Sequence, residues 1–546
     1  MSENRAASFD LTKKPWIQVL GTDGRRREVS ITELFREAEN LREIVGEIPT
    51  QGFAILRLLL AVLHRAVEGP ASVADWVRIR DDWKQTVADV EEYLDEHRHR
   101  FDLRHAAAPF YQVADLRTGK NKAFELKKII ADVPDGHPYL TPRTGRGIER
   151  ISWAEAARWL VHVHAFDTAG ILSGAVGDPR VRDGKGYGIG TGWAGMLGGL
   201  FLRGETLKET LLLNLVGHVG AGLEISGDDV PVWEREPHGP APEGRPPAGP
   251  VCLYTWQSRR VRLVGDDVGV TAVVLAQGDR NTPQNQHHLE PLTAWRYSKA
   301  QTAKAKGKRH TYMPREHDPA RAMWRGLPGL LAGQGEKNGI EPGVLRWAAV
   351  LEADGHLPNG ALTVQAVGIK YGTNNSVVEE LVHDHLDLPP EIVAHGDGAA
   401  AHLARRAVDQ AQLAVSALAN LAQNLYLAAG GNSDSDGPAT RAREAGYHDL
   451  EQPFRRWLLK LEPDTDITEL ERAWQSEVRG VVARIGRELA EGSGPAAFVG
   501  RKVRGKQMDL GVAEVRFWSR LRKDLPLAVR PADTESDRDN EEHHDG

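Results

Sequence analysis

Cysteine is almost missing from this chain: Cys252 is the single one in 546 residues. That excludes a disulfide framework and any zinc site built on cysteine pairs, and it suits a reducing compartment. Long apolar runs are missing too. The opening MSENRAASFDLTKK has no apolar signal region, and no stretch approaches the roughly eighteen apolar residues of a membrane span, so a cytoplasmic protein with no membrane partner is expected. Positive charge is not in excess. A net charge of −7 argues against a protein that coats nucleic acid with its whole surface. Catalytic signatures are equally scarce, with no GxSxG and no phosphate-loop lysine motif. His162 and His164, like His383 and His385, are two apart, which on predicted helices turns the partners to different sides, and neither pair has a carboxylate at a zinc-binding spacing. No catalytic residue, metal or cofactor is expected.

What is present is ordinary in bulk: 41% hydrophobic and 27% charged residues describe a soluble globular chain too long for one core. Charge is uneven. Lys299, Lys304, Lys306, Lys308, Arg309 and Arg315 form one basic cluster, and Arg501, Lys502, Arg504 and Lys506 another. Asp533 to Asp545 is acidic without apolar residues and reads as a disordered tail.

The most unusual stretch is Gly184 to Gly199, GKGYGIGTGWAGMLGG. Glycine at this density marks backbone with unusual dihedrals or a close approach. Three readings compete: a dinucleotide fingerprint, a backbone platform against nucleic acid, and a flexible loop. Gly190 to Gly195 matches GxGxxG, but the polar turn Gly177 to Asp183 precedes it where a buried strand should stand. A nucleotide-cofactor-binding enzyme is therefore the alternative reading. A side-chain-free backbone also suits a minor groove, and Trp193 is expected to pack the loop.

Around this stretch the periodicities predict an α+β fold. Trp16 to Val19 reads as a strand, with a turn at Gly21 to Gly24. Phe53, Leu56, Leu59, Leu60 and Leu63 mark a buried helix that carries a structural His64. Phe101 to Gln112 should dock on the core, and Val133 to Arg150 reads as a long exposed loop. Ser152 and Glu155 form a capping box for a helix to about Ala165, and Leu207 to Leu215 is a second apolar helix. Val230 to Pro250 reads as a linker or surface loop. Leu253 to Trp256, Arg260 to Val264 and Val268 to Leu275 read as strands, followed by a polar loop from Gln277 to His288. A helix near Ala320 to Leu331, a strand from Leu362 to Ile369, a polar turn from Lys370 to Ser376 and a helix from Val377 follow. Beyond Pro389 apolar residues step by three and four through Leu403 to Leu425 and Ile467 to Leu489. With Phe454 to Leu461 and Val512 to Leu521 they make a four-helix bundle. The expected division is a mixed α/β domain over 1–388, a bundle over 389–530 and the tail over 531–546.

Trp16-Ile17, Phe101, Pro109 to Gln112, the glycine loop, Leu211 to Asn214, Trp256-Gln257, Tyr371 to Ser376 and the helical bundle occur in an order that resembles the CasA family, the large subunit of the type I-E CRISPR Cascade complex. The resemblance covers nearly the whole chain. It implies a non-catalytic subunit whose partners are CRISPR RNA, other Cascade subunits, double-stranded target DNA and a helicase-nuclease recruited after R-loop formation. The N-terminal domain of such a subunit reads the protospacer-adjacent motif (PAM) from the minor groove, and its bundle contacts neighbouring subunits and DNA. The family's glycine loop falls on Gly188, Gly190, Thr191 and Gly192. Its duplex-splitting wedge falls on Asn374, Asn375 and Ser376, with Asn375 beside the place of a family glutamine. Its lysine finger belongs in a loop that has no lysine here, where Arg280 and Asn281 stand instead. Lys304, Lys306, Lys308 and Arg309 are the expected phosphate contacts. The cysteine metal knuckle of some relatives is missing, so no structural zinc is implied.

Overall fold

The computed structural model of the protein describes residues 8–133, 141, 143, 146–306, 309–331, 339–358 and 360–528. Chain contacts divide it into two compact units, Met1–Arg321 with Ala332–His385, and Ala322–Leu331 with Leu386–Gly546. The architecture is α+β, as the patterning predicts.

In the first unit, alternating burial makes Ile17–Gly21 (β1) a strand. It pairs antiparallel with Arg26–Val29 (β2) across the predicted turn and with Leu41–Ile44 (β3) on its other side. Pro49–Ala66 (α1) starts with proline in its first turn, where an amide would lack a partner anyway, and is buried at every position from Phe53 to His64. Trp153–Phe166 (α2) packs against it. The two histidines of α2 face different parts of the core, as their spacing requires: His162 Nε2 lies 3.0 Å from Thr50 Oγ1, and His164 Nε2 2.9 Å from the Tyr111 carbonyl. The expected capping box is half made. Ser152 accepts the Glu155 amide, but the Glu155 carboxylate turns to Trp159 Nε1 and the Arg143 guanidinium, a charged donor that outcompetes a neutral amide.

Phe101 docks as predicted, its ring 5.0 Å from that of Trp233 and 5.4 Å from that of Phe110. Trp233 corrects the expected linker over Val230 to Pro250. It is buried, its Nε1 donates to Tyr93 Oη at 2.6 Å, and Glu234 beside it pairs with Arg65 at 2.7 Å.

After the glycine stretch comes a strand the periodicity did not reveal, Gly199–Arg203 (β4), and then the predicted helix Leu207–Asn214 (α3). Pro250–Tyr254 (α4) is a helix where a strand was expected. Proline in its first turn and the Asp229 carboxylate, which accepts the Cys252 and Val251 amides at 2.7 and 3.2 Å, start it, so Cys252 lies buried in a helix. Arg259–Gly265 (β5) and Val270–Gln277 (β6) form the predicted hairpin. Trp295–Tyr297 (β7) and Tyr312–Pro314 (β8) pair on either side of the short helix Lys299–Lys304 (α5), which carries Lys299 and Lys304 of the first basic cluster.

Leu362–Tyr371 (β9) is the predicted strand. The helix expected from Val377 is instead the strand Val378–Leu388 (β10), and β10-β9-β4 form one sheet. Burial of Val382, Leu386 and Leu388 on even positions follows the two-residue period of a strand. His383 and His385 therefore share a face of β10 rather than diverging.

The second unit holds Ala399–Ala428 (α6), Gly437–Leu458 (α7), Ile467–Glu491 (α8) and Leu510–Asp524 (α9), with α6 packed against the other three. Helix α7 begins far earlier than the expected Phe454. Its buried seam there is Ala439, Ala442, Gly446 and Leu450, correctly spaced but carried by small residues, with Gly446 close to Val415 and Leu418 of α6. The helix expected near Ala320 to Leu331 is a 3₁₀ turn, Met323–Gly326, running into Leu327–Leu330, and it groups with this unit. The acidic tail and most of the 133–150 loop lie outside the described residues.

Two outcomes follow. Leu418→Ala removes a side chain with no solvent exposure from the bundle and should lower stability by about 2–5 kcal/mol, read by chemical denaturation. Burial holds His64, His162 and His164 down to about 3 from the ordinary 6.5. The unfolded chain takes up these protons first, so the stability they confer is complete above pH 6.5 and drains away toward pH 3. His162→Gln should show a shallower loss between pH 7 and pH 4 than the parent chain.

Candidate nucleic-acid interface

The end of α2 and the start of β5 meet in a buried ion pair that shapes the glycine loop. Arg259, fully buried, donates from Nε to Asp167 Oδ2 at 2.5 Å and from Nη2 to the carbonyls of Thr168 (2.8 Å) and Gly190 (2.9 Å). Burial pushes the Asp167 carboxyl up and the adjacent guanidinium opposes that. Gly190 has φ +108°, a backbone state that glycine adopts without strain, and it turns its carbonyl to Arg259. A second buried pair braces the loop from its far side: Arg57 grips Glu290 through two bonds of 2.9 Å, and Trp193 Nε1 donates to the same carboxylate at 2.8 Å. Trp193 is thus loop packing, as expected.

The GxGxxG letters have no phosphate-binding geometry. The Gly192 amide donates to the Asp167 carbonyl at 2.8 Å and the Trp193 amide to Ser258 Oγ at 3.1 Å, so these donors point inward. The motif runs into the 3₁₀ turn Ala194–Met196, not into a helix whose N-terminus would hold a pyrophosphate. Thr191 and Gly192 are buried, Gly190 is half-buried, and Tyr187 and Gly188 form the exposed lip.

Two separately predicted pieces converge beside that lip. The hairpin tip between β9 and β10 holds Asn374 and Asn375 at φ +56° and +55°, conformations in which asparagine is tolerated, and Thr373 to Val377 are exposed. The Asn375 carbonyl accepts the Ala169 amide at 2.7 Å. The neighbouring Gly170 carbonyl accepts Gln277 Nε2 at 2.8 Å, and a Cβ on Gly188 would stand 2.9 Å from that same oxygen. The hairpin tip and the root of the polar loop are therefore hydrogen-bonded to residues 169–170, and the glycine lip lies against them. Tyr371, at the foot of the tip, donates to the Phe166 carbonyl at 2.7 Å and fixes the hairpin against the end of α2.

Ser376 and Val377 share a groove of about 80 Å³ with Lys127, Lys128, Asp167 and Thr168. Sequence reasoning passed over both lysines and the 169–170 junction. The run Lys120, Lys122, Lys127, Lys128 was the available signal. Arg280 is exposed, whereas Asn281 is buried with Oδ1 on the Thr282 amide at 2.8 Å. Lys304, Lys306 and Arg309 are exposed on the β7–α5–β8 excursion, and Lys308 lies outside the described residues.

An α+β unit that presents backbone and short polar tips, followed by a unit of four long helices, is an architecture of CRISPR-associated proteins. The crystal structure of Cse1 from Thermobifida fusca superposes with a TM-score of 0.88 at 43% identity, covering 96% of this chain and 99% of that one. Cse1 from Acidimicrobium ferrooxidans superposes with a TM-score of 0.79 at 31% identity, covering 95% and 98%. The family model of CRISPR-associated protein Cse1 matches residues 10–485, and the chain belongs to that family, the large subunit of type I-E Cascade. A CasA/Cse1 protein of Thermus thermophilus is 33% identical over 342 residues, which span 60% of this chain and 61% of that relative. Among the described residues no helix is long and apolar enough to cross a membrane.

The ion pair yields a test. Arg259→Met leaves Asp167 buried without its partner and should destabilise the chain by about 3–5 kcal/mol, whereas Arg259→Met with Asp167→Asn should recover part of that loss in the same denaturant titration.

Proposed function

We propose that this chain is the non-catalytic subunit of an RNA-guided Cascade complex that reads the PAM of invading double-stranded DNA from the minor groove. It helps open the duplex for R-loop formation and recruits a helicase-nuclease, acting in the cytoplasm with CRISPR RNA and other Cascade subunits. One observation carries the reading: a single junction at residues 169–170 is hydrogen-bonded to the Asn374-Asn375-Ser376 tip and lies against the exposed glycine lip at Gly188. Such a face suits a minor groove, which is narrow and displays a degenerate pattern to short polar groups and backbone. Gly190, Thr191 and Gly192 act from beneath, setting the lip. Arg280 and the Lys127-Lys128 pair flank it with positive charge, and Lys304, Lys306 and Arg309 add phosphate contacts along the duplex. Unstacking the first base step costs about a few kcal/mol, which a rigid tip and these phosphate contacts offset. Guide pairing reads the target and protein reads the PAM, the division of labour known for another effector class.

Asn374→Gly with Asn375→Gly removes both tip side chains while suiting their positive φ. The assembled complex should then bind PAM-bearing duplex about tenfold or more weakly in gel-shift titration, with single-stranded target binding unchanged; equal duplex binding by parent and variant would refute the wedge assignment. Replacing Lys304, Lys306 and Arg309 by alanine should flatten the salt dependence of duplex binding by about 0.9 in the log–log slope per lost phosphate contact, equally for PAM-bearing and PAM-free DNA.

A further inference from the structure

Away from the lip, the 236–249 loop folds back on the end of the β5–β6 hairpin and brings together three groups that sequence spacing does not connect: His238, Glu243 and Asp279. One donor atom from each lies within 4.8 Å of the others. The His238 and Asp279 side chains are 5% and 4% exposed, while Glu243 is reached by solvent at 31%. Each carboxylate has one oxygen already committed. Asp279 Oδ1 accepts Arg260 Nη2 at 3.0 Å and the Glu243 amide at 2.8 Å, and Glu243 Oε2 accepts Arg245 Nε at 2.7 Å. The other two oxygens take no part in these bonds. Glu243 Oε1 is 2.5 Å from His238 Nδ1, and Asp279 Oδ2 is buried with no hydrogen-bond partner. His238 itself has no aligned hydrogen bond at either ring nitrogen. A buried carboxylate oxygen without a donor costs about 1–3 kcal/mol or more, so the arrangement is incomplete as it stands.

From this geometry we infer that His238, Glu243 and Asp279 form a binding site for a divalent transition-metal ion of the zinc type. One imidazole nitrogen and two carboxylate oxygens are a three-ligand set that such an ion accepts, leaving a fourth position for water. Ligand distances of about 2.0–2.2 Å place neighbouring ligands roughly 3–4 Å apart, so only a small closure from the present spread is needed. Arg260 and Arg245, paired with the two carboxylates, repel a cation and weaken its binding. The exposed edge of Glu243 is the entry path. When bound, the ion would clasp the 238–243 loop to Asp279, whose carbonyl accepts Trp256 Nε1 at 3.0 Å, directly before the exposed Arg280. The site stands on its own geometry and does not rest on the DNA-reading proposal.

The test is calorimetric titration of the chelator-stripped full chain with zinc chloride, comparing the parent with His238→Gln/Asp279→Asn. The parent should bind one more equivalent than the double variant, and zinc should raise the melting temperature of the parent alone. Asparagine at 279 retains an acceptor for Arg260, and a matching metal-free melting curve would establish that the variant folds. If it does not fold, Glu243→Gln, at the exposed ligand, serves instead and should weaken that equivalent at least tenfold. Equal stoichiometry and affinity in parent and variants, or no binding by the parent, would overturn the assignment.

Discussion

The face of the first unit depends on one buried contact, the ion pair of Arg259 with Asp167. A guanidinium out of water must satisfy its donors, and here it does so with a carboxylate at the end of α2 and the carbonyls of Thr168 and Gly190. Backbone that bends to feed an arginine holds Gly190 at φ +108°, a conformation that residues with a β-carbon rarely adopt. The pair therefore explains both why the loop is rigid and why that glycine is there. Arg57 and Glu290 repeat the device on the side of Trp193.

The glycines of this stretch mark close approach, but much of what approaches is the chain itself. Gly192 lies against the Ala165 carbonyl, Gly195 against the Tyr371 hydroxyl and Gly198 against the Arg315 carbonyl, each leaving no room for a Cβ. Exposure is confined to Gly184, Lys185, Tyr187 and the Gly188 lip. A loop packed so tightly on a helix end and a hairpin foot presents a preorganised edge, which suits recognition by shape and backbone better than a floppy glycine tract would.

Much of the fold was legible because strong periodicity survives burial. Helix α1, the β5–β6 hairpin and the seam of α8 follow spacing carried largely by Leu, Ile and Val, and the seam of α6 sets leucines among its alanines. Where the seam used small residues, as at Ala439, Ala442 and Gly446, the helix start was invisible. Where capping came from afar, as Asp229 supplies to α4, local pattern suggested a strand. Val378 to Leu388 mixes β-branched residues with Glu, His and Asp, and its two-residue period emerges only with burial in view. Family resemblance located the lip and the tip. The 169–170 junction was not legible, and the lysine run through Lys128 carried no sign of its place beside the tip, which comes only through tertiary contacts.

The central claim is that the lip, the junction and the hairpin tip act as one DNA-facing surface. Amide hydrogen exchange of the assembled complex, with and without PAM-bearing duplex, tests it directly. The account predicts protection appearing together in 169–170, 186–190 and 372–377 with PAM duplex and not with PAM-free duplex. PAM-dependent protection confined to other segments, with these three unchanged, would contradict it.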